Sequence, residues 1–146
     1  MQHLAPPLHR FVWADLASAD DARAIAFYRA LFGWTDVPRT LRGGRFCTFE
    51  RSGRAFGSIY RLERAQVARG IPSHWTPYIS TVDMEATVDM ARALGACIVM
   101  PPQEYPGLAR VALIADPAGA LLGLWQDKSD LISDWTGAAP ARGDAR

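Results

Sequence analysis

The patterned part of the chain opens with an apolar run from Arg10 to Leu16, rich in aromatic and branched residues, which predicts a strand. Ser18, Asp20 and Asp21 follow, offering side-chain oxygens to the free N–H groups of a helix start. Over 22–32 the apolar residues Ile25, Tyr28 (or Phe27), Leu31 and Phe32 fall at helical spacing, and Gly33 stops the helix. Three shorter strands are predicted over 34–37, 45–50 and 54–62, parted by the turn signals Gly43-Gly44 and Ser52-Gly53. Residues 63–73 read as a linker. A second strand of the first kind spans 75–82, a second helix 84–94, and three more strands 96–100, 108–115 and 120–126. Asp116-Pro117-Ala118-Gly119 is a hairpin turn, its proline presetting φ and its glycine ending it. Pro101 to Gly107 holds too many prolines for a ladder strand and is expected to be a stiff loop, placed where it could cover a pocket.

The order strand–helix–strand–strand–strand therefore occurs twice. An offset of 63 lays Asp20 on Asp83, Arg29 on Arg92, Ala30 on Ala93 and Leu31 on Leu94. Leu16, Ile25 and Phe27 then fall on Ile79, Val88 and Met90. One extra residue, Phe32, shifts the frame so that Gly33 meets Gly95. The expected fold is α+β: two βαβββ modules whose curved mixed sheets surround a central cavity. Module one covers about 10–62 and module two about 74–126. An irregular lead-in covers 1–9, with His3 and His9 outside the predicted site, and a flexible tail about 129–146 is rich in Ala, Gly and Pro toward its end.

Composition narrows the function classes. With 146 residues, 49% apolar and 21% charged, the chain is of ordinary single-domain size and make-up. A net charge of +1 with dispersed arginines gives no electrostatic case for a nucleic-acid or anionic-membrane partner. Cys47 and Cys97 lack metal-type spacing and read as reduced thiols. The first residues have no apolar signal core, and no run reaches 18 apolar residues, so a cytoplasmic location is expected. There is no GxSxG motif and no phosphate-cradling glycine loop ahead of a helix.

Three segments carry a resemblance: ADDARAIAFYRALFGW (19–34), VDMEATVDMARALGA (82–96) and DPAGALLGL (116–124). Together they resemble the vicinal oxygen chelate superfamily, the glyoxalase/bleomycin-resistance fold, over roughly residues 10–126. The resemblance implies that each module forms half of a cup, the halves pairing within one chain or exchanging between two. Free sheet edges make a homodimer the expected assembly. The family often holds a divalent metal in the cup. Its first-strand histidine, seven positions before the turn aspartate, falls here on Trp13 and Thr76. Its glutamate in DP-x-G-N-x-x-E falls on Gly123, and the matching place in module one falls near Tyr60. Such a set lacks the nitrogen and oxygen ligands that a catalytic divalent ion requires. Neither a metal nor another cofactor is expected.

Strand alternation assigns the cavity wall. If Trp13 points inward, so do Phe11 and Asp15, while Val12, Ala14 and Leu16 pack under the helix. By the same rule His74, Thr76 and Tyr78 share a face, as do Leu121, Gly123 and Trp125, and Ser58, Tyr60 and Leu62. Gly123 would leave room for a ligand. A carboxylate among aromatic rings is partly desolvated, which raises its pKa and suits Asp15 to general acid or base work, with His74 as its counterpart. The plainer alternatives are that Asp15 caps a turn or pairs with Arg110, itself a candidate ligand contact, and that His74 is exposed. Two functions follow. One is a metal-independent enzyme of lyase or isomerase type acting on a small organic molecule. The other is a non-catalytic protein that sequesters a drug-like or aromatic compound.

Overall fold

The computed structural model describes residues 8–41, 44–105 and 108–127. The predicted tail, His3 and most of the lead-in lie outside them, as do Gly43 and the end of the predicted proline loop. In chain order the elements are β1 (Phe11–Ser18), α1 (Asp21–Phe32), β2 (Thr35–Leu41), β3 (Gly44–Arg51), β4 (Arg54–Arg61), α2 (Arg64–Ala68), β5 (His74–Ser80), α3 (Met84–Ala93), β6 (Cys97–Tyr105), β7 (Ala109–Ala115) and β8 (Leu121–Asp127). The two long helices start alike. Asp20 accepts from the Arg23 amide and Asp83 from the Ala86 amide, each satisfying one free donor of the first turn. Both give way to glycines in the left-handed region, Gly33 at φ 70° and Gly95 at φ 96°.

All eight strands form one sheet, ordered β2-β3-β4-β1-β5-β8-β7-β6. The halves join within a single chain along β1 and β5, which pair antiparallel, while β1–β4 and β5–β8 are parallel. The seam shows a two-fold relation. Trp13 faces Tyr78, Asp15 faces Thr76, and Ala14 faces Pro77, so at the offset of 63 the first two pairs exchange and the third maps onto itself. The flanking strands obey a different offset. Asp15 pairs with Ser58 where Tyr78 pairs with Gly123, so β4 and β8 correspond at 65. The counterpart of Gly123 is therefore Ser58, and that of Tyr60 is Trp125. The counting that set Gly123 against Tyr60 is two residues out, because β1-to-β4 and β5-to-β8 spacings differ.

The sheet curls strongly. Phe46 of β3 and Tyr105 of β6 stand six strands apart in the order, which in a flat sheet would separate them by about 29 Å, yet their ring centroids are 6.3 Å apart. Inside the curl Val12, Trp13, Tyr78, Val111 and Trp125 pack together. Outside it, α1 covers Leu16, Phe49 and Ile59 through Ile25 and Tyr28, and α3 covers Ala112, Ile114 and Leu124 through Met84 and Val88.

Four departures from the sequence expectation have local causes. A bulge between Phe11 and Trp13 breaks the alternation of β1, so Val12 turns into the inner core and Phe11 turns out, 65% exposed. Pro101 and Pro102 do not end β6. The strand lies on the sheet's edge, and register shifts at Ile98, Met100 and Gln103 take up the residues that cannot donate. Pro38 likewise sits in an edge strand, which lets β2 run on to Leu41. The linker contains the short α2, whose Gln66 side chain accepts from the Glu63 amide.

Candidate active site in the cup

The curled sheet encloses a cavity of about 560 Å3, within the range of small-molecule sites. Its floor is aromatic. Trp13 and Trp125 stack at 4.7 Å with 27° between planes, and Tyr78 meets Trp125 edge-on at 5.8 Å. All three are buried. The arms add Tyr60 and Phe46 on one side and Gln103, Tyr105 and Leu108 on the other. Arg45, Arg61, Glu63 and Gln66 line its exposed part, with Arg61 held loosely, 3.8 Å from Asp21.

One carboxyl group stands in this wall. Asp15 is half-buried on β1, beside Ser58 on β4 by strand register. The Ser58 hydroxyl donates to Asp15 Oδ1 at 2.8 Å and accepts from Trp13 Nε1 at 2.8 Å. The chain Trp13–Ser58–Asp15 thus fixes the carboxyl group and satisfies the indole. Removal from water pushes the Asp15 pKa up to about 6, against the opposing pull of the Ser58 hydrogen bond and the smaller effect of the His74 charge. Three tyrosines feel that carboxylate. Burial, then the Asp15 charge, lifts Tyr60 to about 12 and raises Tyr78 and Tyr105 above the ordinary phenol value. They stay protonated donors at neutral pH. The buried Trp125 N–H has no partner among the described residues, and nothing in the structure explains it.

Trp13, Asp15, Ser58, Tyr60, Tyr78 and Trp125 are brought together as alternation indicates. Four expected residues are not. Gly123 lies under Tyr78: a Cβ added there would fall 2.2 Å from Tyr78 Cδ1, so the missing side chain makes room for a ring of the protein and not for a ligand. Thr76 shares the face of Asp15 but is buried and does not line the cavity. His74 does not line it either; its Nδ1 lies 2.8 Å from the Pro72 carbonyl oxygen. Arg110 forms an ion pair with Glu85 of α3 and is not a partner of Asp15. Phe46, Gln103, Tyr105 and Leu108 are wall residues that sequence reasoning missed. Phe46 was within reach, since it pairs in register with Tyr60. Gln103 and Tyr105 sit in the stretch whose prolines predict a loop.

Residues 8–124 match the family model described as Glyoxalase/Bleomycin resistance protein/Dioxygenase superfamily. The chain belongs to that superfamily. Among curated relatives of this superfamily member, the anthracycline biosynthesis protein DnrV of Streptomyces peucetius is 33% identical over 125 residues, covering 78% of this chain and 46% of that protein. The putative glyoxylase CFP32 of Mycobacterium tuberculosis (strain CDC 1551 / Oshkosh) is 34% identical over 116 residues, covering 78% and 44%. The chain spans about half the length of the curated relatives it matches. In fold it is similar to methylmalonyl-CoA epimerase from Mycobacterium tuberculosis, with TM-score 0.63, 20% identity and coverage of 88% and 95% of the two chains. It is also similar to the hypothetical protein BH1468 from Bacillus halodurans C-125, with TM-score 0.63, 15% identity and coverage of 83% and 96%.

The superfamily's metal positions do not fit a divalent ion in this member. The Trp13 nitrogen is a donor already engaged by Ser58, and an indole offers no lone pair. Thr76 is buried off the cavity, and the space above Gly123 is filled by Tyr78. Ser58, the true counterpart of Gly123, is bound between Trp13 and Asp15. Among the described residues no three of His, Cys, Asp and Glu cluster closely enough to hold an ion.

Proposed function

We propose that this superfamily member binds a small, largely planar organic molecule on the Trp13–Trp125 floor and moves a proton on it with Asp15, in a lyase- or isomerase-type step that uses no metal. The observation that carries this is a carboxyl group in an aromatic cavity, hydrogen-bonded by Ser58, with a pKa pushed up to about 6. Such a group is mostly carboxylate at neutral pH yet basic enough to accept a proton from a weak acid. Ser58 occupies Oδ1 and leaves the other oxygen for the ligand. A relative named for anthracycline biosynthesis fits a flat aromatic ligand, and one named a putative glyoxylase fits chemistry beside a carbonyl. Sequestration without turnover is the second reading. It is favoured by His74 standing off the cavity wall, which leaves Asp15 without the second proton carrier expected for it.

The test starts from whatever molecule co-purifies with the protein, identified by mass spectrometry and returned to wild type and to Asp15→Asn. Conversion by wild type, with turnover falling about a hundredfold in the variant while binding is kept, supports the acid–base role. The rate should rise with pH as the carboxylate forms around pH 6. A ligand recovered unchanged after incubation with wild type establishes sequestration, and equal turnover in the variant removes Asp15 from the chemistry.

Assembly as a homodimer belongs to the same proposal. Phe27 and Leu31 on α1 are 57% and 56% exposed, and their counterparts Met90 and Leu94 on α3's last turn and cap are 61% and 71% exposed. Apolar surface repeated on both halves suits a two-fold partner. A monomeric mass by light scattering would remove this part. Among the described residues no helix is long and apolar enough to cross a membrane.

A further inference from the structure

We propose that Tyr60 and Tyr105 form an oxyanion-binding pair facing Asp15, and that the substrate is accordingly an enolisable carbonyl compound, its carbonyl oxygen held by the two phenol hydroxyls and its acidic C–H turned to the carboxylate. This rests on the proton-transfer reading above and gives it a substrate class.

The placement follows from the fold. Tyr60 stands on β4, two residues beyond Ser58 and on the same face, so it lies diagonally across from Asp15. Phe46 pairs with Tyr60 in register, and the Tyr105 ring stacks on Phe46 from the opposite arm of the curl. The closing of the sheet therefore delivers the second phenol beside the first. Both line the cavity together with Asp15. Among the described residues neither hydroxyl has a hydrogen-bond partner, and neither is sealed from solvent. Tyr78 is excluded from the pair because its ring is clamped over Gly123 and against Trp125. Electrostatics agree with the geometry. Burial first, and then the Asp15 charge, keeps both phenols protonated.

The step balances without a co-reactant. The Asp15 carboxylate takes the proton from the carbon next to the carbonyl, the C–H pair becomes the C=C bond, and the C=O π pair moves onto oxygen. Negative charge thus leaves Asp15 and arrives on the enolate oxygen, where the two phenols donate. Donors aimed at charge that develops during the reaction stabilise it more strongly in a water-poor site than in water. Return of the proton from Asp15 to a carbon conjugated with the enolate completes an isomerisation, whereas its return to the first carbon on the same face restores the substrate.

The experiment uses 2-naphthol, whose phenolate mimics the enolate, and naphthalene, which reports on the aromatic wall alone. Affinities are read by ligand fluorescence with pH varied across the naphthol ionisation, for Asp15→Asn and for the same variant carrying Tyr60→Phe or Tyr105→Phe. Asp15→Asn stands in for the carboxyl group after it has taken the proton. Naphtholate should bind this variant more tightly than wild type. Each added Tyr→Phe change should weaken naphtholate about tenfold and leave naphthalene unchanged. Naphtholate affinity unmoved by both Tyr→Phe changes, with naphthalene still bound, overturns the oxyanion pair while sparing the aromatic-ligand reading. Failure of wild type to bind either probe overturns that reading and this inference with it.

Discussion

The two modules share an element order and differ in chemistry at one layer of the cup. In module one Asp15 lies beside Ser58; at the matching place in module two Tyr78 lies beside Gly123. The serine hydroxyl ties a carboxyl group to the buried indole of Trp13. The glycine lets a phenol ring fold down onto the sheet and press its edge on Trp125. The same two-residue layer thus holds a carboxyl group in one half and an aromatic ring in the other. One layer of the cup therefore differs in chemistry between the halves, which is why the duplication alone says little about chemistry.

Exchanging the layer's residues is the strongest way to break the comparison. Gly123→Ser installs the module-one residue in module two, where its Cβ falls 2.2 Å from Tyr78 Cδ1. The ring has to leave its place, and a loss of about 3 kcal/mol in denaturant unfolding is expected. Ser58→Ala is milder. It strands the Trp13 N–H and strips Asp15 of its donor, with an expected loss of about 2 kcal/mol and an Asp15 pKa higher still.

Asp15→Asn should act in the opposite direction. The folded-state pKa of about 6 lies above the ordinary 3.8, so between those values the folded protein binds more protons at this site than the unfolded chain does. Stability from this group therefore falls as pH rises through that window. At pH 7 the variant should be more stable than wild type by roughly 1–2 kcal/mol, and below pH 4 the gain should vanish. Smallest of all, Arg110→Ala removes an ion pair on the outer side with Glu85 and should change stability by under about 0.5 kcal/mol, with ligand affinity unchanged.

Much of the architecture was legible in the chain. Paired N-cap aspartates, paired helix-ending glycines and the repeated strand order all follow from short-range chemistry, which the sequence displays directly. Trp13, Asp15 and Tyr78 could be assigned to the cavity because β1 and β5 alternate regularly beyond the bulge. Legibility failed where a residue's direction depends on its neighbours in space. The bulge that turns Phe11 out, the edge position that tolerates Pro101 and Pro102, and the two-residue difference that pairs Gly123 with Ser58 are properties of the assembled sheet. In the chain alone Gly123 looks like space for a ligand, and only the Tyr78 ring above it shows what fills that space.

The claim that module one carries the acid–base group is tested most directly by titrating the Asp15 carboxyl carbon by NMR, with Asp15→Asn supplying the assignment. A midpoint near pH 6 is expected from burial in the aromatic wall. A midpoint near 4, the value of a freely hydrated aspartate, would contradict it.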